Sequence, residues 1–541
     1  MDEVSDWACQ GFTFLAAGGI VTEMATAICR LMAGGYPLSK NPANFSRYLS
    51  PSVMTTLVLC LRALPAFAQL DTIPFRVVDV DKAVPVEVVL PNGATARVEL
   101  LDRTEKADTV RGAVRVARVR VKVNGGDVWL ECGNYRLPVA VGGVQIDCPV
   151  TKRLLANSRA NPWAIEKDAR LRLWPAGSPF LKPGKYVYPV KQRWFATDTQ
   201  MSNQPSYVDG SEEPSAKRIY YHHGLDVGGA EGLTEVISAT DGQVVVRGRT
   251  ALPEYVKSPY TEVNYDGVII RDDRGWFHWY FHLFSIDASI KLGERVRMGQ
   301  PVGLIGKEGS AGCWSHLHYE IRGPQPSGKA GIIEGYAFLW EAYLRQHTPD
   351  VIAVARPHSF VWVGEPTRLD GSRSWARDGV VRYDWTLSDG STAGGPEINR
   401  TYKRPGTYSE ILKVTDRAGR SSYDFAVVQV VERPSAANRG EDRLPPTIHA
   451  SYWPAMGVRA GQPVVFLVRT CRTTFGQETW DFGDGSAQVS VRSDGCAEEK
   501  AKEGYARTEH VFRQPGDYLV KVERANERGE RATAHLWVPV E

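Results

Sequence analysis

Alternating apolar and polar positions fill the chain after its first seventy residues, in short runs that turn residues separate. Residues 118–123 alternate strictly and are followed by Asn-Gly, the strongest short-range hairpin signal. A Pro-Asn-Gly turn joins two β-rich arms at 84–101 in the same way. These patterns predict an N-terminal β domain over 69–180. The stretch 175–190, rich in Pro and Gly, predicts a linker into the next domain.

Residues 185–345 form a second region of short strand patterns rich in Val, Ile and aromatic residues. Runs of this kind, separated by turns, are typical of antiparallel β-structure. The segment EGYAFLWEAYLRQH at 334–347 is the one helical candidate and is expected to close the domain.

Two C-terminal segments, 351–432 and 446–541, form an internal repeat. Each contains a Trp followed by an Asp-Gly turn, and then Pro-Gly-x-Tyr before an alternating strand. Each also has the length of a small β-sandwich. The segment 432–446 between them predicts a flexible linker.

The leader, residues 1–68, contains an apolar stretch that ends in Ala66-Phe67-Ala68. Together with Lys40 and Arg47 upstream, this stretch predicts a signal peptide cleaved after Ala68, although Arg62 interrupts it. A start at Met32 or Met54 would explain its distance from position 1; the alternative is a mature chain with an apolar tail. No run is long and apolar enough to predict a stable membrane span. Because of the predicted signal peptide, we expect a secreted or periplasmic protein.

The chain of 541 residues is too long for one hydrophobic core, and its net charge of +3 predicts no nucleic-acid partner. Cysteines agree with export, because Cys132 with Cys148 and Cys471 with Cys496 could each close a short loop. Cys313 is left over, three residues before His316.

Histidines provide the candidate chemistry, since six of the 11 lie between positions 222 and 318. In a strand, residues two apart point to the same face. His316 and His318 of HLHYE should therefore project together into a groove, with Leu317 and Tyr319 facing the core. Imidazole and carboxylate groups are the ligands and proton carriers of catalytic zinc sites.

The HHGLD segment offers His222 and Asp226, which would be about 13 Å apart on an extended strand. Gly224 permits a bend that brings them to one ion. With one member of the HLH pair they would make three zinc ligands, leaving one position for water. The other member and His282 would then serve in proton transfer. His223 should face away from Gly224 and Asp226. His278 lies four residues before His282 and would share its strand face, so spacing does not exclude His278 from the site.

Four motifs in order, HHGLD, YFHL, GERVRMGQPVGLIGKEGSAG and HLHYE, resemble the LytM/lysostaphin-type zinc metalloendopeptidases over about 185–330. The resemblance implies a compact antiparallel β fold with a groove, one Zn²⁺, and cleavage of peptidoglycan peptides. Matched by motif, the implied zinc ligands are His222, Asp226 and His318, and the implied catalytic pair is His282 and His316.

The chain departs from that family just before the last motif. The family usually has Thr-Gly-Pro-His, where this chain has Cys313-Trp314-Ser315-His316. Without the proline the turn should be less rigid, and Cys313 could be a zinc ligand, a redox-sensitive thiol or a buried residue. Tyr220 is the candidate for assisting the oxyanion.

The C-terminal repeats resemble polycystic-kidney-disease (PKD) domains, through FGDGS and PGDY in the second copy and LSDGS and PGTY in the first. The resemblance implies immunoglobulin-like sandwiches that serve as spacers or bind a cell surface, polysaccharide or protein. The whole chain is thus expected to be mainly β, with an antiparallel β metallopeptidase domain flanked by an N-terminal β domain and two such sandwiches.

The leading functional hypothesis is a secreted zinc metalloendopeptidase that hydrolyses peptide bonds in peptidoglycan through a zinc-activated water. The alternatives are a catalytically idle zinc-binding scaffold that regulates wall enzymes, and a secreted metallopeptidase acting on proteins. A hydrolase built on Cys313 and His316 is disfavoured, because it leaves HHGLD without a role.

Overall fold

The computed structural model describes residues 73–205, 218–435 and 444–541, apart from position 499. The predicted signal peptide and the centre of the linker at 432–446 lie outside these residues. Regular structure is almost entirely β, as predicted. The described part contains one α-helix, α1 (Tyr336–His347), where the helical candidate was placed, and a 3-10 helix at Pro253–Tyr255. No helix among these residues is long and apolar enough to cross a membrane.

The N-terminal β domain consists of two four-stranded sheets, ordered β1-β8-β7-β6 and β2-β3-β4-β5. Both predicted hairpins are present. Asn124 and Gly125 have φ of 50° and 93° between two of the strands, as a tight turn that matches strand twist requires. The strands are β1 (Arg76–Val80), β2 (Val86–Val89), β3 (Thr95–Ala107), β4 (Val114–Val123), β5 (Gly126–Glu131), β6 (Val139–Val141), β7 (Val144–Thr151) and β8 (Ala169–Pro175).

The segment 175–190 connects the first two domains but is packed more closely than a linker. Tyr186, Tyr188 and Val190 are buried in the same core as Trp174 of the first domain and Leu317 of the second. Their apolar surface is therefore withdrawn from water together with that of both domains. The Pro and Gly content predicted the irregular backbone correctly and gave no indication of this burial.

The central domain is built on a nine-stranded antiparallel sheet, ordered β13-β12-β14-β15-β19-β10-β9, with β17 added on β12 and β20 on β19. A three-stranded sheet, β11-β18-β16, lies beside it. Helix α1 contributes Phe338, Leu339 and Trp340 to the core. The strands are β9 (Thr199–Gln200), β10 (Leu225–Gly228), β11 (Glu235–Ile237), β12 (Gly242–Arg247), β13 (Thr250–Ala251), β14 (Val268–Asp272), β15 (Phe277–Phe281), β16 (Leu283–Ile286), β17 (Arg295–Val296), β18 (Pro301–Ile305), β19 (His316–Pro324) and β20 (Ala330–Ile332).

The two C-terminal repeats have matching structural details. Trp385 and Trp480 are both fully buried. Tyr408 and Tyr518 each donate a hydrogen bond to the carbonyl oxygen four residues earlier. The first sandwich contains β21 (Val351–Ile352), β22 (Ser359–Trp362), β23 (Pro366–Asp370), β24 (Trp375–Ala376), β25 (Val380–Thr386), β26 (Thr392–Gly394), β27 (Glu397–Thr401), β28 (Gly406–Asp416) and β29 (Ser421–Val431).

The second sandwich shares a sheet with the first. Strand β28 pairs in parallel with β36 through Gly406 with Arg531 and Thr407 with Ala532, which makes one nine-stranded sheet across both repeats. The second sandwich contains β30 (Thr447–Trp453), β31 (Pro463–Cys471), β32 (Glu478–Asp481), β33 (Val489–Val491), β34 (Ala506–Val511), β35 (Gly516–Ala525) and β36 (Arg531–Val540).

The cysteine pairs differ from one another. Cys471 and Cys496 form a disulfide, as hypothesised. Cys132 and Cys148 lie buried with their Sγ atoms 3.4 Å apart and are not bonded covalently in this structure. Both predicted pairs therefore lie close together, but only Cys471 and Cys496 form a disulfide in this structure.

Candidate metal centre and its surroundings

Three of the predicted residues, His222, Asp226 and His318, converge on one point. Their donor atoms all lie within 4.8 Å of one another. Asp226 Oδ2 is 2.9 Å from His222 Nε2, and Asp226 Oδ1 is 2.8 Å from His318 Nδ1. The two imidazole nitrogens are 3.2 Å apart. Two nitrogens and a carboxylate oxygen at this spacing can hold a metal ion.

Strand pairing and one glycine create this convergence. Asp226 on β10 is directly opposite His318 on β19. His222 precedes β10, and Gly224 has φ of 71°, which turns the chain back towards the sheet. A Cβ atom on Gly224 would lie 2.7 Å from the carbonyl oxygen of Tyr319, so only glycine allows this approach. The predicted bend at Gly224 is confirmed.

His316 lies on the same face of β19 as His318, as predicted, and Leu317 and Tyr319 are fully buried on the other. Its Nε2 is 3.4 Å from Asp226 Oδ2. Its Nδ1 is 3.2 Å from the carbonyl oxygen of Trp314, so that nitrogen carries the proton. Nε2 therefore faces the candidate centre.

His282 reaches the same site from the end of β15. Its backbone has φ of 66°, an unfavourable conformation for a residue with a side chain. Nδ1 is 2.7 Å from the carbonyl oxygen of Glu308 and 3.2 Å from Asp266 Oδ2, which leaves Nε2 as the nitrogen available to a substrate. The ring centroid is 4.9 Å from that of His316 and 5.6 Å from that of His318.

Burial and charge act in opposite directions on the ionisable groups. Burial alone would raise the pKa of Asp226, but the electrostatic attraction of His222 and hydrogen bonds from His222 and His318 hold it well below its ordinary value. Burial lowers the pKa of His316 well below its usual range, although Asp226 opposes this. For His318 burial is outweighed by hydrogen bonds to Asp226 and Glu320, which raise its pKa to about 10. His316 is therefore the neutral imidazole of the pair.

Glu320 and Asp266 are supporting carboxylates that the sequence analysis did not identify. Glu320 Oε2 is 3.3 Å from His318 Nε2, and its other oxygen accepts from Arg322 at 2.5 Å. Asp266 Oδ2 accepts the backbone N–H of His282 at 2.9 Å. The available signal for Glu320 was its place in HLHYE, two residues after His318 on the same strand face.

The remaining histidines of the cluster have other surroundings. His278 is fully buried between Asp272 and the hydroxyl of Tyr319, as part of the core. His223 lies against the ring of Tyr220, 5.2 Å between centroids, and is not among the three converging donors. Burial lowers the pKa of His223 to about 4.

Cys313 is not among the converging donors. Its thiol is grouped instead with Cys471 and Cys496 of the second sandwich, with sulfur atoms within 4.8 Å of one another. The geometry of the described residues therefore does not support Cys313 as a zinc ligand.

Comparisons with known proteins agree with this arrangement. The profile of peptidase family M23 matches residues 220–330, and two PKD-domain profiles match 347–430 and 449–538. The peptidoglycan DD-endopeptidase ShyC of Vibrio cholerae is 33% identical over 108 residues, which are 20% of this chain and 22% of ShyC. The dyslexia-associated protein KIAA0319-like protein of Mus musculus is 39% identical over 79 residues, 13% of this chain and 8% of that protein.

These alignments are partial. The chain matches 22% and 8% of the lengths of the two relatives. Lysostaphin from Staphylococcus simulans, a solved structure, aligns at 18% identity over 41% of this chain and 87% of its own, with a TM-score of 0.19, a likeness too low to carry an argument. Residues 220–330, which contain all five predicted site residues, are a peptidase family M23 domain of the LytM type, and two PKD domains follow it in the chain.

Proposed function

We propose that this protein is a zinc-dependent endopeptidase of the bacterial cell envelope that hydrolyses peptide bonds in peptidoglycan. The observation that supports it most is the convergence of His222, Asp226 and His318 within 4.8 Å, with two further imidazoles beside them. The printed name of the Vibrio cholerae relative, a peptidoglycan DD-endopeptidase, supports the substrate class. The predicted signal peptide supports export, and the PKD domains would contact the cell surface.

The donor set fits zinc. Zinc prefers nitrogen and oxygen ligands of this kind, and catalytic sites typically supply three of them and leave one position open. His222, Asp226 and His318 would hold the ion. When bound, zinc supplies a Lewis acid that lowers the pKa of water and polarises a carbonyl group.

His282 and His316 would move the protons. Each keeps its Nδ1 bonded to a backbone carbonyl oxygen, of Glu308 and Trp314 respectively, so each can accept a proton only at Nε2. A neutral His316 can take a proton from the attacking water, and a protonated imidazole can return it to the leaving amine. Their side chains differ in access, since 12% of His282 is exposed and 3% of His316. We expect the substrate to approach from the side of His282.

The test is digestion of purified peptidoglycan by the purified protein, with and without a chelator, read by mass spectrometry. New peptide ends that disappear with the chelator and return with zinc are the expected result. If a folded, zinc-loaded protein releases no fragments from peptidoglycan but cleaves a panel of proteins, the substrate assignment is wrong. Release from neither substrate would favour the idle scaffold.

Single variants test the roles. Substituting Ala for His222, Asp226 or His318 should empty the site of zinc. His282→Ala and His316→Ala should retain zinc and lose turnover. The matched control is His510→Ala, because His510 is bonded to Asp484 in the second sandwich. Loss of zinc from His316→Ala would mean that the two histidines of HLHYE were assigned in reverse.

A further inference from the structure

The turn before His316, Cys313 to Ser315, lies against the second sandwich. Each of its three residues meets a different element of that sandwich. Arg469 of β31 donates to the carbonyl oxygen of Cys313 at 3.2 Å. The ring of His449 on β30 contacts that of Trp314, and the hydroxyl of Tyr505, just before β34, bonds the backbone of Ser315.

A complete hydrogen-bond chain runs from this turn into the sandwich. The N–H of Ser315 donates to the Tyr505 hydroxyl at 2.7 Å, and that hydroxyl donates to Nδ1 of His449 at 2.7 Å. Nε2 of His449 then donates to Thr197 Oγ1 at 3.3 Å, and Thr197 donates to the carbonyl oxygen of Ala450. The side chains of Tyr505, His449 and Thr197 each act once as donor and once as acceptor, so the hydroxyl of Tyr505 has a fixed orientation.

The ring of Trp314 lies in contact both with His316 and with His449 of the second sandwich. It stacks on His316 with centroids 4.1 Å apart and an angle of 23°, and it makes a T-shaped contact with His449 at 5.4 Å. Trp314 is only 3% exposed. A buried aromatic ring in contact with both histidines has little room to move, and it restricts the orientation of the His316 ring stacked on it.

Arg469 holds the start of the turn. Its guanidinium is fully buried and bonds Asp494 at 2.9 and 2.7 Å as well as the carbonyl oxygen of Cys313. A buried cation that is paired in this way keeps a well-defined position. Both ends of the turn are therefore fixed by the second sandwich.

We propose that the second PKD domain positions the turn that precedes His316 and is therefore required for full activity. Within it, Tyr505 is a positioning residue that fixes the location of His316 through its hydrogen bond with Ser315. This inference rests on the proposed function for its catalytic consequence. The Ser315 N–H is one residue before His316, whose Nε2 lies 3.4 Å from Asp226. Burial raises the pKa of Tyr505 well above its ordinary value, so the hydroxyl keeps its proton at working pH.

The test is Tyr505→Phe in the full chain. This variant loses the hydroxyl's two neutral hydrogen bonds, to Ser315 and to His449. It should lower kcat on soluble cross-linked muropeptides by about five- to tenfold, with KM changed less than about twofold and zinc content unchanged. The matched control is Tyr452→Phe. Tyr452 is another buried tyrosine of the second sandwich that bonds the central domain, but through Arg193, away from His316. A kcat for Tyr505→Phe equal to that of Tyr452→Phe would overturn the proposal.

Hydrogen exchange supplies a readout that is independent of activity. Amides in a peptide covering 313–317 should exchange about fivefold faster in Tyr505→Phe than in Tyr452→Phe. If the wild-type protein cleaves nothing but exchange responds in this way, the proposed function fails and the positioning stands. If exchange at 313–317 does not respond, the positioning fails whatever the activity.

A second variant approaches the same bond from the other side. Ser315→Pro removes the donor N–H, because proline has none. If Tyr505 acts through this bond, the double variant Ser315→Pro/Tyr505→Phe should have the same kcat as Ser315→Pro. A further five- to tenfold loss in the double variant would contradict the proposal, since Tyr505 would then act by another route.

Discussion

The variant Asp266→Asn tests whether the carboxylate of Asp266 orients His282 for catalysis. Oδ2 of Asp266 accepts the backbone N–H of His282 at 2.9 Å and lies 3.2 Å from its Nδ1. These bonds help to hold His282 at φ of 66°, a conformation that costs about 1–3 kcal/mol. Hydrogen bonds to a charged group each contribute about 1.5–3 kcal/mol. Asparagine keeps an acceptor and loses the charge, so we expect about 1–2 kcal/mol of lost transition-state stabilisation, or about 5- to 30-fold in kcat.

The assay is steady-state kinetics on soluble muropeptides from pH 5 to 9. Burial would raise the pKa of Asp266, but the hydrogen bond and charge of His282 hold it below its ordinary value, so the carboxylate is ionised throughout this range. The loss in kcat should therefore be constant with pH. Asp273→Asn is the control, because Asp273 forms an exposed ion pair with Arg295. An unchanged kcat with raised KM would refute the role assigned to Asp266.

Four further predictions concern the metal ligands, the carboxylate that supports His318 and the backbone between His222 and Asp226. Glu320→Gln should weaken zinc binding about 10- to 100-fold in a competitive chelator titration, because Glu320 orients His318; unchanged affinity would contradict this. Zinc affinity should also increase by about tenfold per pH unit between pH 7 and 9, because zinc must displace a proton from His318, whose pKa is about 10 in the metal-free protein. In that metal-free state the stabilisation from protonated His318 is complete below about pH 6.5 and is lost as the pH rises through 10, which thermal unfolding without zinc would show. Gly224→Ala should lower the free energy of unfolding by about 2–4 kcal/mol, more than Gly93→Ala, since both have positive φ but only Gly224 would place its Cβ against Tyr319; equal losses in denaturant unfolding would remove the steric argument.

Local pattern was sufficient for the strand faces and the bend at the centre of the site, whereas the choice of His318 over His316 as a ligand came only from the resemblance to the LytM/lysostaphin-type family. Alternation along β19 correctly assigned His316 and His318 to one face and Leu317 to the core. The glycine in HHGLD correctly predicted a bend. Both inferences depend only on residues within five positions of one another, where backbone geometry fixes which side chains meet.

Long-range partners could not be predicted in this way. Asp266 contacts His282 only because β14 and β15 form a hairpin. Tyr505 of the second sandwich contacts Ser315 of the central domain, 190 residues earlier in the chain. Such long-range hydrogen bonds leave no periodic pattern in the sequence. The joint sheet made by β28 and β36 was equally hidden, since alternation predicts a strand but not its neighbour.

The place of the second sandwich in the chain has a consequence for fragments of this protein. His316 lies well before His449, Arg469 and Tyr505, which hold its turn. A fragment that ends before position 449 would keep the whole match to peptidase family M23, with all five predicted site residues, but would lack these three contacts. The region that matches the family is therefore smaller than the region that holds the turn beside His316.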